Sequence, residues 1–192
     1  MKDDSRILDI GCGIGRFWED LFGGLQNIPV NYRKNLIGVD FSYEDAKKFK
    51  QRIGAGVIVA DARNLPFKKL WDYYVVCEQM IEHVEYRPQF LQEIKRVMAQ
   101  GSELRISSVV KKRWAWYFYR TKQKRWGLSP EHCIEYDSVK DFLAEIRGAE
   151  GIGIRDVENK MIWYPICFWR WLKWIKVPII GFYYVTVRGV IL

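Results

Sequence analysis

The chain has 192 residues, of which 49% are hydrophobic and 16% are aromatic, and its formal net charge at pH 7 is +8. This length suits one α/β domain with a sizeable core over residues 1–192 and is too short for two, and the apolar content excludes a disordered chain. The positive charge predicts attraction to an anionic partner, such as a lipid headgroup, a nucleic acid or an acidic substrate.

The cysteines indicate a reducing compartment. There are four, they are widely spaced, and no two of them form a Cys-x-x-Cys pair. Such a pattern predicts neither a disulfide framework nor a zinc site, so no metal is expected. The chain begins without the charged and apolar leader of a secretory signal, and a cytoplasmic location is therefore expected.

The order of apolar runs and amphipathic stretches predicts alternating strands and helices, and hence a mostly parallel sheet with helices on both faces. Strands are expected near residues 6–10, 35–40, 56–60, 72–78 and 103–109. Helices are expected near residues 16–25, 43–53, 88–99 and 137–147. A sixth strand is expected within residues 148–160, and a seventh at residues 182–191.

The first predicted strand runs into a turn rich in glycine, with the sequence Leu-Asp-Ile-Gly-Cys-Gly-Ile-Gly over residues 8–15. Gly11, Gly13 and Gly15 can take positive φ and let the backbone approach a ligand without a Cβ in the way. Asp9 stands where the strand ends. The free N–H groups at the start of the following helix face the same ligand. This arrangement predicts a loop that binds a nucleotide-type cofactor.

Acidic residues also end the second and third predicted strands. Asp40 lies at the tip of the second, where a carboxylate can accept hydrogen bonds from both ribose hydroxyls. Asp61 and Ala62 follow the third, where a carboxylate and a backbone N–H can bind adenine. Any one of these acids could be an ordinary strand-end cap, but three in register favour an adenosine pocket.

Four motifs in chain order, LDIGCGIG, GVDFS, VADARNLPF and WDYYVVCEQMIEHV, resemble those of class I S-adenosylmethionine-dependent methyltransferases, in particular the ubiquinone and menaquinone group. The resemblance implies a Rossmann-like, seven-stranded, mostly parallel sheet whose last strand is antiparallel and lies between the fifth and sixth. It implies that Asp9 and the glycines hold the methionine part of S-adenosylmethionine, that Asp40 binds the ribose, and that Asp61 with Ala62 binds the adenine. Phe41 and Glu78 are assigned to the same cofactor site, and Cys12 is interpreted as a small packing residue there. A dehydrogenase usually carries its glycines as G-x-G-x-x-G, whereas G-x-G-x-G behind an acid favours the sulfonium cofactor.

Two histidines are candidate catalytic residues, and they are the only two in the chain. His83 follows the fourth predicted strand, beside the transferable methyl group in similar enzymes, and an imidazole can act as a base near neutral pH. His132 lies in the stretch that often lines the acceptor pocket. The alternative for His83 is an ordinary loop or helix-start histidine, and Glu82 is expected to be a solvated loop acid.

Two motifs that are absent from the sequence limit the class of molecule that could accept the methyl group. No Asn/Asp-Pro-Pro-aromatic tetrad follows the fourth strand and no Pro-Cys dipeptide occurs, which disfavours exocyclic amines and pyrimidine carbons of nucleobases. The expected methyl acceptor is therefore an oxygen, carbon or nitrogen atom of a small apolar or lipid-linked molecule. The alternatives are an RNA-directed methyltransferase and a non-catalytic partner subunit of the same fold.

The second half of the chain is basic and rich in tryptophan, mainly over residues 111–130 and 161–180. Relatives usually carry helices before the first strand, whereas here that strand begins close to Met1. Either the N-terminus is truncated, or these two segments cover the substrate in place of those helices. Residues 166–176, placed on a helix, put Arg170, Lys173 and Lys176 on one side and aromatic side chains opposite. Such a helix suits contact with an anionic membrane surface, and a lid on the protein's own core or a site for single-stranded nucleic acid are the alternatives.

Overall fold

The computed structural model describes residues 6–68, 73–114, 117, 119–122, 125–166 and 177–192. The strands are β1 (Arg6–Ile10), β2 (Leu36–Asp40), β3 (Gly56–Val59), β4 (Tyr73–Cys77), β5 (Glu103–Lys111), β6 (Tyr119–Arg120), β7 (Trp126–Gly127), β8 (Ile152–Ile166) and β9 (Val177–Ile191). The helices are α1 (Arg16–Phe22), α2 (Val30–Asn35), α3 (Tyr43–Ile53), α4 (Arg87–Val97) and α5 (Val139–Gly148), with short 3-10 helices at Leu25–Asn27 and Ile81–His83. Within these ranges, no helix has both the length and the apolar character needed to cross a bilayer.

Seven strands form one sheet in the order β3-β2-β1-β4-β5-β9-β8. The pairs from β3 to β5 are parallel, whereas β9 runs antiparallel to both β5 and β8. The predicted Rossmann-like sheet is therefore confirmed, including its antiparallel last strand between the fifth strand and β8. The order reverses beside β1, where such sheets have their ligand crevice at the carboxyl ends of the strands.

Alternation along β1 supplies both faces of the sheet with core residues. Successive side chains of a strand point to opposite faces, so Leu8 and Ile10 join a core covered by α4 and α5, with Phe90 and Phe142 among its members. Ile7 points the other way and packs with Trp18 of α1 and residues of α3. Asp9 shares the face of Ile7, which places a carboxyl group under the glycine-rich turn.

Some elements differ from the sequence predictions. Helix α1 ends at Phe22 because Gly23 takes the left-handed conformation at φ 67°, and α2 and the β6–β7 hairpin were not predicted. Strand β8 extends to Ile166, so the predicted helix over residues 166–176 is wrong at its first residue. Residues 167–176 of that prediction lie outside the described residues.

The last two strands extend past the rest of the sheet. Strand β5 pairs with β9 only as far as Lys111 and Phe182, while β8 and β9 stay paired with each other out to Ile166 and Val177. Among the described residues, this outer part of the β8–β9 pair forms a two-stranded ribbon.

Candidate active site

The glycine-rich turn is fastened to the neighbouring strand by its backbone. The N–H groups of Gly11 and Cys12 both donate to the carbonyl oxygen of Val39, at 2.7 and 3.0 Å. Gly11 and Gly13 have φ of 75° and 49°, in the left-handed region that side chains disfavour. The turn therefore crosses from β1 towards the tip of β2, where Asp40 lies.

Asp40 links this turn to the start of α3. Its Oδ2 accepts a hydrogen bond from the Gly13 N–H and its Oδ1 accepts one from the Ser42 N–H, both at 2.8 Å. A carboxylate oxygen can accept more than one hydrogen bond, so both oxygens keep capacity for a ligand hydroxyl. No atom lies within 4 Å of the place that a Cβ on Gly13 would occupy, so that side of the turn faces open space.

A cleft of about 590 Å³ opens at this edge of the sheet. It brings together most of the residues that the sequence predicted as a cofactor site. Those that line it are Gly11, Gly13, Asp40, Phe41, Asp61 and Ala62, together with the candidate catalytic residue His83. Those that do not line it are Asp9, Cys12, Gly15, Glu78 and His132.

Asp9 lies beneath the turn rather than in the cleft. Its side chain is buried, and its Oδ2 accepts a hydrogen bond of 2.7 Å from the indole Nε1 of Trp18. Burial raises the pKa of Asp9 to about 7, with smaller contributions from the negative charges of Glu78 and Asp40 and an opposing one from the Trp18 hydrogen bond. The turn thus lies over a carboxyl group whose ionised form is disfavoured by burial.

Cys12 and Gly15 serve the packing of the turn. Cys12 is buried, and its Sγ lies where a Cβ on Gly38 would clash, at 2.7 Å. Burial raises the pKa of its thiol far above the usual range, so the thiolate is absent at neutral pH, as a packing role requires. A Cβ on Gly15 would lie 2.5 Å from Ile53 of α3, so the missing side chain lets the helix approach the turn.

Asp61 is held by an arginine two residues along the chain. Arg63 forms a bidentate pair with it, with Nε at 3.0 Å from Oδ1 and a terminal nitrogen at 2.7 Å from Oδ2. These contacts lower the pKa of Asp61. Both residues line the cleft and keep about a third of their side-chain surface exposed, so Asp61 presents a fixed, ionised carboxylate there.

Glu78 faces away from the cleft. Its carboxylate forms an ion pair with Arg105 and accepts hydrogen bonds from the hydroxyl groups of Ser107 and Tyr184. Ser107 Oγ also accepts the Gln79 N–H at 3.1 Å. Gln79 has φ of 50°, the only positive φ at a non-glycine residue in the described part of the chain. Glu78 thus anchors the turn that carries Gln79, and its contact with the cofactor stays a prediction.

The two histidines meet although they are distant in sequence. The rings of His83 and His132 are T-shaped, with centroids 4.9 Å apart. Both rings line a second pocket of about 240 Å³, which shares Gln79 and His83 with the cleft. Burial and the neighbouring His132 lower the pKa of His83, which favours the neutral form of its ring. The second pocket has room for a small group beside the cleft.

Glu82 is not the solvated loop acid that the sequence suggested. It is 1% exposed, and its Oε2 accepts a hydrogen bond of 3.0 Å from Ser108 Oγ. Burial raises its pKa to about 7. The reason for the error is the 3-10 helix at Ile81–His83, which turns Glu82 inward towards β5 and leaves His83 at the surface of the cleft.

Several residues of the site carried no signal in the sequence. Trp18, Arg63 and Glu135 act only through contacts made in the fold: Trp18 with Asp9, Arg63 with Asp61, and Glu135 with His132 at 2.6 Å. Glu135 stands three residues after His132, a spacing that is too common to identify such a pair from sequence.

Comparison with known proteins identifies the family. A family model described as a methyltransferase domain matches residues 8–106, which is more than half of the chain. A protein of Methanocaldococcus jannaschii with no assigned activity is 31% identical over 144 residues, covering 74% of this chain and 63% of the relative. Norajmaline N-methyltransferase of Rauvolfia serpentina is 31% identical over 114 residues, covering 56% of this chain and 37% of that enzyme.

Solved structures share the fold. The crystal structure of a SAM-dependent methyltransferase from Methanosarcina mazei aligns with a TM-score of 0.64 at 17% identity, covering 97% of this chain and 93% of that one. The chain spans less than two thirds of the length of the two curated relatives.

Proposed function

The chain belongs to the methyltransferase domain family, and we propose on this premise that it transfers a methyl group from S-adenosylmethionine to a small acceptor molecule. The observation that carries the proposal is the junction of the glycine-rich turn with Asp40 in a single cleft, at a Gly13 N–Asp40 Oδ2 distance of 2.8 Å. S-adenosylmethionine supplies a methyl group that the sulfonium charge already activates for in-line displacement, with S-adenosylhomocysteine as the product. The protein has to align the acceptor and exclude water.

The cleft residues suit the parts of such a cofactor. Asp40 has free acceptor capacity for ribose hydroxyls, and the open side of Gly13 leaves room for the methionine part next to the backbone. Phe41 is 79% exposed in the cleft wall and offers an apolar ring to a flat base. Asp61, ionised and oriented by Arg63, is available to accept from the adenine amino group, with Ala62 beside it. We assign these residues to cofactor binding.

The second pocket is our candidate for the acceptor. Its apolar walls come from Val109, Leu128 and Phe182, which favours an apolar or lipid-linked molecule over a sugar or a nucleotide. The polar side carries His83 and His132, and we propose that the two histidines activate the acceptor atom. Residues 111–130 contribute Leu128 to this pocket and Lys122 to the cleft, in keeping with a role of that segment as substrate cover.

Calorimetry tests the cofactor assignment. We expect S-adenosylmethionine and S-adenosylhomocysteine to bind the protein, and Asp40→Ala to weaken both by at least about tenfold, the equivalent of 1.4 kcal/mol. Asp20→Ala, which removes an exposed carboxylate of α1, is the matched control and keeps the affinity. Equal affinities for the wild-type protein and Asp40→Ala would refute the site.

Transfer of a labelled methyl group tests the acceptor class. We expect label to enter a lipid extract and not an RNA extract, and His83→Ala to reduce transfer while cofactor affinity stays unchanged. Label in RNA would favour an RNA-directed enzyme. Cofactor binding without transfer into either extract, alone or with a partner protein, would favour a non-catalytic subunit.

We also propose that the basic, tryptophan-rich stretch over residues 161–180 brings the protein to an anionic membrane surface. The support is the sequence pattern, since cationic and aromatic side chains together favour the headgroup region. Flotation with anionic vesicles is expected to recover the protein, and neutral vesicles are the control. A Trp171→Ala/Trp174→Ala variant that loses activity but still floats would instead favour a lid.

A further inference from the structure

The wall between the cleft and the second pocket holds a carboxylate and two imidazoles. One ligand-type atom from each of Glu82, His83 and His132 lies within 4.8 Å of the others. Glu82 and His132 are buried, while His83 is exposed to the cleft. Three side chains from two separate segments therefore converge where the two pockets meet.

We propose that Glu82, His83 and His132 bind a divalent transition-metal ion, which polarises the acceptor atom at the junction of the cleft and the second pocket. Two imidazoles with one carboxylate suit Zn²⁺ and its first-row neighbours, whereas Mg²⁺ and Ca²⁺ prefer sites made of oxygen ligands. Metal–ligand distances of about 2.0–2.2 Å would require the three atoms to draw together by about 1 Å. Most of that adjustment would fall on His83, which is exposed to the cleft.

The partners of the histidines favour this interpretation. A metal-bound histidine usually donates its other ring N–H to a carboxylate or a backbone carbonyl, which fixes the ring and its tautomer. His132 Nδ1 lies 2.6 Å from Oε1 of the buried Glu135, so its Nε2 is left for a ligand. The backbone of Glu131 forms a hydrogen bond with His83. Both rings are therefore oriented in the way that metal ligands are.

The surroundings of Glu82 also favour a metal ion at this place. A buried carboxylate is costly unless a cation or several donors compensate it. In the described part of the chain, no lysine or arginine forms an ion pair with Glu82, and Ser108 is its one side-chain hydrogen-bond donor. A bound cation would supply the missing positive charge.

Glu135 is fixed in place behind His132 by further hydrogen bonds. Its Oε1 also accepts the backbone N–H groups of Leu128 and Ser129, at 2.6 and 3.2 Å. Its Oε2 is buried without a hydrogen-bond partner among the described residues. The carboxylate is thus fixed behind His132, where it can raise the basicity of the imidazole for a metal.

The metal would act on the proposed methyl transfer as a Lewis acid. An acceptor hydroxyl bound to it would lose its proton to solvent more readily, and the oxygen lone pair would then form the new bond to the methyl carbon. The C–S bond breaks in the same step and its electron pair stays on sulfur, giving neutral S-adenosylhomocysteine. This part of the inference rests on the proposed function, whereas metal binding itself does not.

The test uses the untagged full chain, because its two histidines are the only ones present. Zn²⁺ is titrated by calorimetry without cofactor or acceptor, and the imidazole signals are followed by NMR. We expect one Zn²⁺ per chain with a Kd near or below about 1 µM, which corresponds to about −8 kcal/mol, and shifts of both imidazoles.

Variants identify the ligands. His83→Ala removes an exposed ring and is expected to weaken Zn²⁺ binding at least about tenfold. Glu82→Gln is expected to do the same, and Glu135→Gln to cost about 10- to 100-fold through His132. Asp20→Asn, which changes an exposed acid of α1 away from the three ligands, is the control and keeps the affinity.

Two results would overturn the metal site. One is an absence of Zn²⁺ binding at 100 times the expected Kd, and the other is equal binding by His83→Ala and the wild-type protein, which would place the ion away from His83. Calorimetry with S-adenosylmethionine is run in parallel on the same samples. Zn²⁺ binding without cofactor binding refutes the proposed function alone, and the reverse result refutes the metal site alone.

Discussion

Gly11 and Gly13 occupy adjacent parts of one turn and yet have different roles. A Cβ on Gly11 would lie 2.3 Å from Met80 Cγ, whereas one on Gly13 would meet no atom within 4 Å. Gly11 is therefore required by packing against the segment after β4. Gly13 is required by the ligand that we place in the open space beside it.

We therefore expect Gly11→Ala mainly to lower the stability of the protein and Gly13→Ala mainly to weaken its binding of the cofactor. Gly11→Ala should lose about 2–5 kcal/mol of unfolding free energy, the sum of a left-handed alanine and an overpacked core. Gly13→Ala should lose about 1–2 kcal/mol from its backbone alone but bind S-adenosylmethionine at least about tenfold more weakly. Urea unfolding and calorimetry measure the two effects.

Gly101→Ala is the control for backbone strain, since Gly101 has φ of 83° and no atom within 4 Å of its would-be Cβ. A Gly11→Ala variant no less stable than Gly101→Ala would contradict the predicted clash with Met80.

Asp9 makes stability depend on pH. Burial raises its pKa from 3.8 to about 7, so between these values the folded protein binds a proton that the unfolded chain has released. The contribution of Asp9 to folding is therefore full below pH 4 and falls as the pH rises to 7, by at most about 1.4 kcal/mol per pH unit. Asp9→Asn keeps an acceptor for Trp18 and removes this titration.

Unfolding in urea from pH 4 to pH 8 measures the effect. We expect Asp9→Asn to gain stability relative to the wild-type protein as the pH rises to 7, and no further above it. Asp20→Asn, at an exposed position of α1, serves as the reference. Parallel pH curves for Asp9→Asn and the wild-type protein would contradict the raised pKa.

An ion pair between Arg87 and Glu145 joins α4 to α5 on the face of the sheet that these two helices cover. Arg87 Nε lies 2.6 Å from Glu145 Oε1, with side chains 17% and 19% exposed. The Tyr136 hydroxyl donates to Glu145 Oε2 at 2.8 Å. Glu145 thus ties the start of α4 and the segment before α5 to one carboxylate.

Removing this carboxylate should loosen the pair of helices. We expect Glu145→Gln to lower the unfolding free energy by about 1–3 kcal/mol, because Arg87 is left without its counter-charge. A double-mutant cycle with Arg87→Met is expected to give a coupling of about 0.5–3 kcal/mol. Arg147→Gln, an exposed change on α5, should stay within about 0.5 kcal/mol of the wild-type protein; a coupling of zero would contradict the pairing.

The integrity of the whole sheet depends on β9, which joins β8 to the other strands. It lies between β5 and β8, and the fully buried Val187 pairs with Ile106 on one side and Val157 on the other. Among the described strands, β8 joins the rest of the sheet only through β9, so the sheet is incomplete until β9 has paired with both neighbours.

Val187→Ala is therefore expected to destabilise the molecule by about 2 kcal/mol, through lost burial and a residual cavity. Val59→Ala on the edge strand β3, where the side chain is 48% exposed, should change stability by no more than about 0.5 kcal/mol. Urea unfolding compares the two variants. Equal losses would show that the inserted strand matters no more than the edge.

The sheet and the backbone turn at the edge of the cleft could be predicted from the sequence. Glycine at positions 11, 13 and 15 has a local cause, since positive φ is open to few other residues, and the acids at 9, 40 and 61 stand at strand ends whose apolar alternation is visible in the chain. Parallel strands bring their carboxyl ends to one edge, so Asp40 and Asp61 had to meet the glycine-rich turn there.

Which side chains contact one another became visible in the fold alone. Glu82 is buried, Glu78 is turned towards Arg105, and His83 meets His132, because each depends on how segments distant in sequence pack against one another. The same holds for Asp9, whose raised pKa comes from burial under the turn and not from its neighbours in the chain. Local sequence preferences largely determine where the helices and strands lie. The burial of a side chain and its hydrogen-bond partners depend on contacts that form only when the strands and helices pack together.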